Sequence, residues 1–236
     1  MSASERGKPL TLPNALERQI LTTNRFTGST VTIEVGATDN AETHTIHAEV
    51  LEKQSPFWKS ALKKCWEEGA EGKIKLPEDD QDAVSTYLEW IYSSIIETNP
   101  LRNDEMSVKE LDAEFEHLAR VYVFGEKIQD KEFCNRTMDR ILNRAAGLAL
   151  FSDIVCCYPT TKAVKIIYDG TPEGSPAREL CVWLQSRIGL AENVKSVEEG
   201  EHPDFLRDLT RAMMDVRGRP QHKLHVGRRD TWYKTV

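Results

Sequence analysis

The chain lacks any long apolar run. None of its stretches approaches the ~20 residues that cross a bilayer, so no transmembrane helix is expected. The opening residues, MSASERGKPLTLPNALERQ, contain no apolar h-region, and no secretory signal is expected from them. Cysteine is sparse: Cys65, Cys134, Cys156, Cys157 and Cys181 make an odd count among 236 residues. There is no CxxC pair and no paired Cys/His ligand spacing, which disfavours both a disulfide scaffold and a zinc finger. A reducing intracellular setting, in the cytoplasm, the nucleus or both, fits best. Positive charge is also short. The formal net charge of −7 argues against a chain that binds nucleic acid as a whole. Hydrophobic residues make up only 39% and charged residues 29%, so a packed core with some chain lying outside it is expected. No repeat with a period of ~20–50 residues is present, which excludes solenoids and propellers.

The charge that is present is unevenly placed. Residues 217–236 hold Arg217, Arg219, Lys223, Arg228, Arg229 and Lys234 against Asp230 alone, a balance of +5 that leaves −12 for residues 1–216. His222, His225, Trp232 and Tyr233 share that basic end. It reads first as a solvated tail, and second as an arm for an acidic partner or nucleic acid.

Local patterns then divide the chain. Thr30-Val31-Thr32-Ile33-Glu34-Val35-Gly36 alternates apolar and polar, as a half-buried strand ended by glycine does. Thr43–His47 is a second β-rich run, and Thr38-Asp39-Asn40 supplies a turn, which together predict a hairpin. Val50 and Leu51 anchor a short helix. Ser55-Pro56 predicts a helix start, because serine accepts orphan N–H groups at an N-cap and proline tolerates the first helical position. Lys73–Pro77 reads as a strand with Ile74 and Leu76 on one face. Asp79-Asp80 opens another helix, whose stripe is Val84, Tyr87, Leu88, Ile91 and Tyr92. Residues 97–110 read as a long loop. Leu111, Phe115, Leu118, Ala119, Tyr122 and Val123 form the next stripe, and Asp130 caps a helix carrying Phe133, Met138, Ile141 and Leu142. Ala163–Tyr168 is a small helix or strand. Ser175-Pro176 repeats the cap-and-start device before the stripe Leu180, Trp183, Leu184, Arg187, Ile188. Phe205, Leu206, Leu209 and Met213 allow one more, weak helix. The pattern is α+β: about three short strands flanked by a bundle of helices, with a helical C-terminal extension.

The order of these features resembles a known family. A strand ending in Val35-Gly36 is followed by His47, Leu51, Ser55-Pro56-Phe57-Trp58, Leu62 and Glu68. Ile74-Lys75-Leu76-Pro77-Glu78-Asp79-Asp80 and Tyr87-Leu88-Glu89-Trp90-Ile91-Tyr92 come next. This run resembles the BTB/POZ domain. Leu118–Ile128 is similar to a later helix of that family, and Tyr168–Arg178 looks like a feature of the fungal group of stand-alone BTB proteins. The matches cover roughly residues 29–188. The resemblance divides the chain into a flexible leader (1–28), a BTB/POZ domain (29–147), a helical C-terminal extension (148–188) and a polar, then basic tail (189–236). It implies a protein–protein interaction module that self-associates or binds partners; the residues themselves show no metal set, nucleotide loop or catalytic constellation, so no catalysis, cofactor or metal is expected. An isologous homodimer would bury apolar residues of the first strand and first helices, with the leader and Val31–Val35 as the candidate surface.

His47 matches the family's histidine at a strand–helix junction, and Ser55 and Phe57 belong to the same structural signature. Read alone, His47 could act as a general base, but no nucleophile with a supporting group stands near it in the sequence. Cys156-Cys157 reads as core. Gly170–Gly174 lacks the Gly-Lys-Ser/Thr ending of a phosphate loop and reads as a linker with an N-cap. Trp66-Glu67-Glu68 looks like the short motif by which some BTB adaptors contact a cullin scaffold, with Trp66 filling an apolar pocket and Glu68 meeting a donor at its rim. That gives a first alternative, a substrate adaptor of a cullin-RING ubiquitin ligase. A second is a chromatin-associated protein whose segment 217–236 touches DNA.

Overall fold

The alternation that begins at Thr30 does form a strand. β1 (Thr30–Val35) lies in the middle of a three-stranded sheet of order β2-β1-β3. Its partner β2 (Glu42–His47) runs antiparallel, with Thr30 opposite His47 and Val35 opposite Glu42. β3 (Lys73–Leu76) runs parallel to β1 on the other side, with Thr32 opposite Lys73 and Val35 opposite Leu76. The computed structural model describes residues 28–37, 39–67, 72–96, 107–149, 159–188, 194 and 200–216. Residues 1–27, Thr38, Glu68, the segment 97–106, Cys156-Cys157 and the basic segment 217–236 lie outside the described residues.

The two faces of the sheet differ sharply. Val31, Ile33, Val35, Ile46, Ile74 and Leu76 are buried together on one face. The register places Thr30, Thr32, Glu34, Thr43, Thr45, His47, Lys73 and Lys75 on the other, where a Glu34–Lys73 ion pair bridges neighbouring strands. Period-two alternation of this kind is the pattern of a sheet covered on one side only.

Eight helices are present among the described residues, so the architecture is mixed α+β and mostly helical. α1 (Ala48–Glu52) and α2 (Pro56–Glu67) connect β2 to β3. α3 (Gln81–Ser93) starts at an Asp80 N-cap, whose Oδ1 accepts from the Ala83 N–H at 2.9 Å. α4 (Val108–Lys127) opens with a capping box in which Ser107 and Glu110 bond reciprocally. The helix therefore begins within the stretch expected to be loop. α5 (Lys131–Ala149), α6 (Thr161–Gly170), α7 (Pro176–Ile188) and α8 (Pro203–Val216) complete the chain order. The Thr160 hydroxyl accepts from the Ala163 N–H at 3.2 Å, which settles the Ala163–Tyr168 stretch as helix.

α4 is the axis of the helical layer. α3, α5 and α6 all pack on it. Its expected stripe is buried at Leu111, Phe115, Leu118, Ala119 and Tyr122, but so are Val121, Phe124 and Gly125. A helix with neighbours on three sides buries more than one stripe. Gly125 is required by the close approach of α5: a methyl there would sit 2.9 Å from Cys134 Sγ and 3.0 Å from Phe133 Cδ1. α8, within the segment read as polar tail, packs Phe205 and Leu209 into the same core cluster as α6 and α7.

Candidate interaction surface

His47 sits where β2 turns into α1, at the helix N-cap position, and its side chain makes no cap hydrogen bond. Its partner comes from α3. The Tyr92 hydroxyl lies 3.2 Å from the His47 backbone N and 3.0 Å from its Nδ1, with the two rings edge-on. The hydroxyl can accept from the N–H and donate to the ring nitrogen at once. Tyr92 is thus not a core residue as its place in the stripe suggested. It is 39% exposed, because the last turn of α3 reaches past the core to the sheet. Trp90, absent from the expected stripe, is buried in its place.

Ser55 and Phe57 lie at the start of α2. The buried Ser55 hydroxyl accepts from the Trp58 N–H at 3.5 Å, and its carbonyl accepts from Lys59 at 3.2 Å. Phe57 is half-buried and edge-on to Trp58. Trp58 itself is fully buried and begins a polar relay through the core. Its Nε1–H donates to Tyr87 Oη at 2.9 Å, and the Tyr87 hydroxyl donates to Asp130 Oδ2 at 3.0 Å. Asp130 Oδ1 accepts from the Phe133 N–H at 3.0 Å, which caps α5. Burial, and then the Asp130 charge, pushes the Tyr87 hydroxyl far above its ordinary pKa. Burial also raises the Asp130 carboxyl, against the pull of the Phe133 N–H and the Tyr87 hydroxyl. The sequence marks Asp130 as a cap and Tyr87 as core. The link to Trp58 is a pairing across 29 positions, and its one local signal is an indole in a buried stripe, which needs an acceptor.

The remaining expected site residues lie close by in the chain. Trp66 falls in the last turn of α2, and Glu68 is outside the described residues. Beside α2, a groove of about 360 Å³ runs along α1 from Ser29, rimmed by Glu49, Glu52, Lys59 and Lys63 with Leu62 at its floor. β1 is central and its apolar side chains are used by the chain's own core, so Val31–Val35 offers no apolar surface to a second copy. Among the described residues the sheet leaves its polar face and two edge strands, β2 and β3.

The titratable groups elsewhere are structural in their surroundings. Cys134 and Cys181 are buried thiols, and burial pushes Cys181 up to about 12, well away from a reactive thiolate. His117 bonds the Thr86 hydroxyl through Nε2 at 3.1 Å, and burial lowers its pKa. Among the described residues, no group of three or more His, Cys, Asp or Glu could hold a metal ion. None of the described helices is long and apolar enough to cross a membrane. No protein-family model matches the chain, and no curated protein matches it.

Proposed function

We propose that the chain is a protein-interaction module of the BTB/POZ type, which presents a folded surface to a second copy or to partner proteins and has no chemistry of its own. One observation carries the reading. A three-stranded sheet with β1 at its centre is set on a helical layer within residues 29–147, with His47 at the strand–helix junction and Ser55-Pro56 opening the next helix. These are the features, in the order, on which the sequence resemblance rests. A sheet covered on one face only also leaves backbone and polar side chains to meet another macromolecule. The test is affinity purification of the full chain with identification of what co-purifies, together with light scattering at micromolar concentration. Specific protein partners, or a particle of twice 26.9 kDa, are expected. A monomer that retains no protein above a mock purification would overturn the proposal.

A second reading, a cullin-RING substrate adaptor, is favoured by the position of Trp66 in the final turn of α2, directly before Glu67-Glu68. A cullin pull-down that recovers wild type but not Trp66→Ala/Glu68→Ala supports it. Equal recovery of both, or of neither, removes it.

A further inference from the structure

Among the described residues the outer edge of β2 is open, and its chemistry is self-complementary. Strand geometry shows which backbone groups face outward. The Ala48 N–H donates to the Ser29 carbonyl at 2.9 Å, so residues 29 and 48 are a hydrogen-bonded pair in the β1–β2 register. Counting back by twos, Ile46, His44 and Glu42 also turn their N–H and C=O toward β1. Thr43, Thr45 and His47 turn theirs away. The His47 N–H is taken by Tyr92 Oη. Among the described residues, no strand pairs with the outward groups of Thr43 and Thr45. Both threonines are exposed, and neither a proline nor a lysine protects the strand.

We infer that β2 pairs antiparallel with β2 of a second copy, with His44 on the two-fold axis. In this register Thr43 faces the partner's Thr45, and Thr45 faces the partner's Thr43. The outward N–H and C=O groups of both strands then match in four backbone hydrogen bonds. On the core-side row, Glu42 lies diagonal to the partner's His44. Within each strand His44 Nε2 already stands 3.7 Å from Glu42 Oε2. A shift of one residue either way sets outward groups against inward ones and loses the bonds, and a shift of two moves a threonine onto the axis, which the cross-link below distinguishes. Tyr92, 39% exposed and bonded to His47, supplies apolar surface at that end of the strand, and Ile95, 60% exposed, follows it three residues later in the chain. Joining the edges makes a six-stranded sheet with both helical layers on one side. The inference rests on the self-association proposed above and says where it takes place.

The test uses the full chain with two variants. In an antiparallel pair, residue 44 and its symmetry mate form a non-hydrogen-bonded pair, with Cα atoms about 4.5 Å apart, inside the disulfide range of about 4.4–6.8 Å. His44→Cys is therefore expected to give a covalent dimer on mild oxidation. The dimer should be absent from the wild type, which reports any background from the native cysteines. Thr45→Pro removes two of the four bonds at an edge position that tolerates proline, and is expected to weaken the dimer about tenfold or more. A wild-type dimer by light scattering with no His44→Cys cross-link overturns this interface while leaving self-association standing. Unchanged affinity of a Thr45→Pro chain with native circular dichroism does the same. A wild-type monomer at every concentration removes both this interface and self-association. Should Thr45→Pro fail to fold, the cross-link alone decides.

Discussion

Replacing Tyr87 with phenylalanine removes a single oxygen but strands two buried groups. Trp58 Nε1–H loses its acceptor, and Asp130 Oδ2 loses a donor. Each orphaned group costs about 1–3 kcal/mol, so Tyr87→Phe is expected to lose about 2–5 kcal/mol of unfolding free energy at pH 7. Urea unfolding followed by tryptophan fluorescence should show a lower midpoint at unchanged m-value. The pH dependence distinguishes the relay from a simple packing defect. In the native chain the Asp130 carboxyl is raised above its unfolded value, so the fold binds a proton there more tightly than the unfolded chain does. Stability from this group is therefore highest at acid pH and is lost as pH rises from about 4 through the raised value. The Tyr87 hydroxyl favours the ionised carboxylate. Without it the folded pKa climbs further, and ionisation costs more. The deficit of the variant should thus be largest near neutrality and shrink on acidification to about pH 5. A loss below about 1 kcal/mol at pH 7, or a deficit that grows on acidification, refutes the reasoning.

Gly125→Ala places a methyl against Cys134 and Phe133, both fully buried, and should lose about 1–2 kcal/mol despite alanine's better helix propensity, read as a lowered urea midpoint. Arg144 donates to Glu114 Oε1 through two nitrogens, at 2.9 and 2.7 Å, and both side chains are at least nine-tenths buried. Arg144→Ala should cost about 3–5 kcal/mol, and adding Glu114→Gln should recover part of that loss in a double-mutant cycle. Phe205→Ala removes the buried anchor of α8 and should cost about 3–5 kcal/mol within a single unfolding transition. A separate early transition would instead mark α8 as an independent unit.

What was readable in the sequence was local. Alternation placed β1 and the buried face of β3, and the Asp80 and Asp130 caps appear where acidic residues precede apolar stripes. The start of α4 is equally local, because Ser107-Val108-Lys109-Glu110 spells a capping box, but it lies inside a stretch whose polarity and proline read as loop. The burial of Trp90, Val121 and Phe124 could not be read from one stripe, since a helix between several neighbours has no single inner face. The exposure of Tyr92 depends on where the core ends, which is a tertiary fact. The His47–Tyr92 and Trp58–Tyr87 bonds join residues 45 and 29 positions apart. Ser175 shows the same limit. It opens α7 as its Ser-Pro pattern predicts, accepting from Arg178 N–H through its carbonyl, but its hydroxyl donates to Glu126 on α4 at 2.9 Å.

The energetics of the proposed β2 pairing set its strength. Four backbone hydrogen bonds contribute about 0.5–1.5 kcal/mol each, while association costs about 4–15 kcal/mol in lost freedom. The edge alone therefore cannot hold two copies together at micromolar concentration, which needs about 8 kcal/mol net. The difference must come from apolar burial, and β1 cannot supply it, because Val31, Ile33 and Val35 face the chain's own core. The exposed apolar group tied to this edge is Tyr92, through its bond to His47, and Ile95 follows it three residues later in the chain. Full burial of a large exposed side chain contributes about 1.5–3 kcal/mol, so Tyr92 at 39% exposure and Ile95 at 60% each add only part of that, counted twice by two-fold symmetry. Backbone pairing then orients the two copies, and exposed apolar surface such as the end of α3 supplies the affinity. This division predicts that Ile95→Ser, like Thr45→Pro, weakens the dimer measured by light scattering.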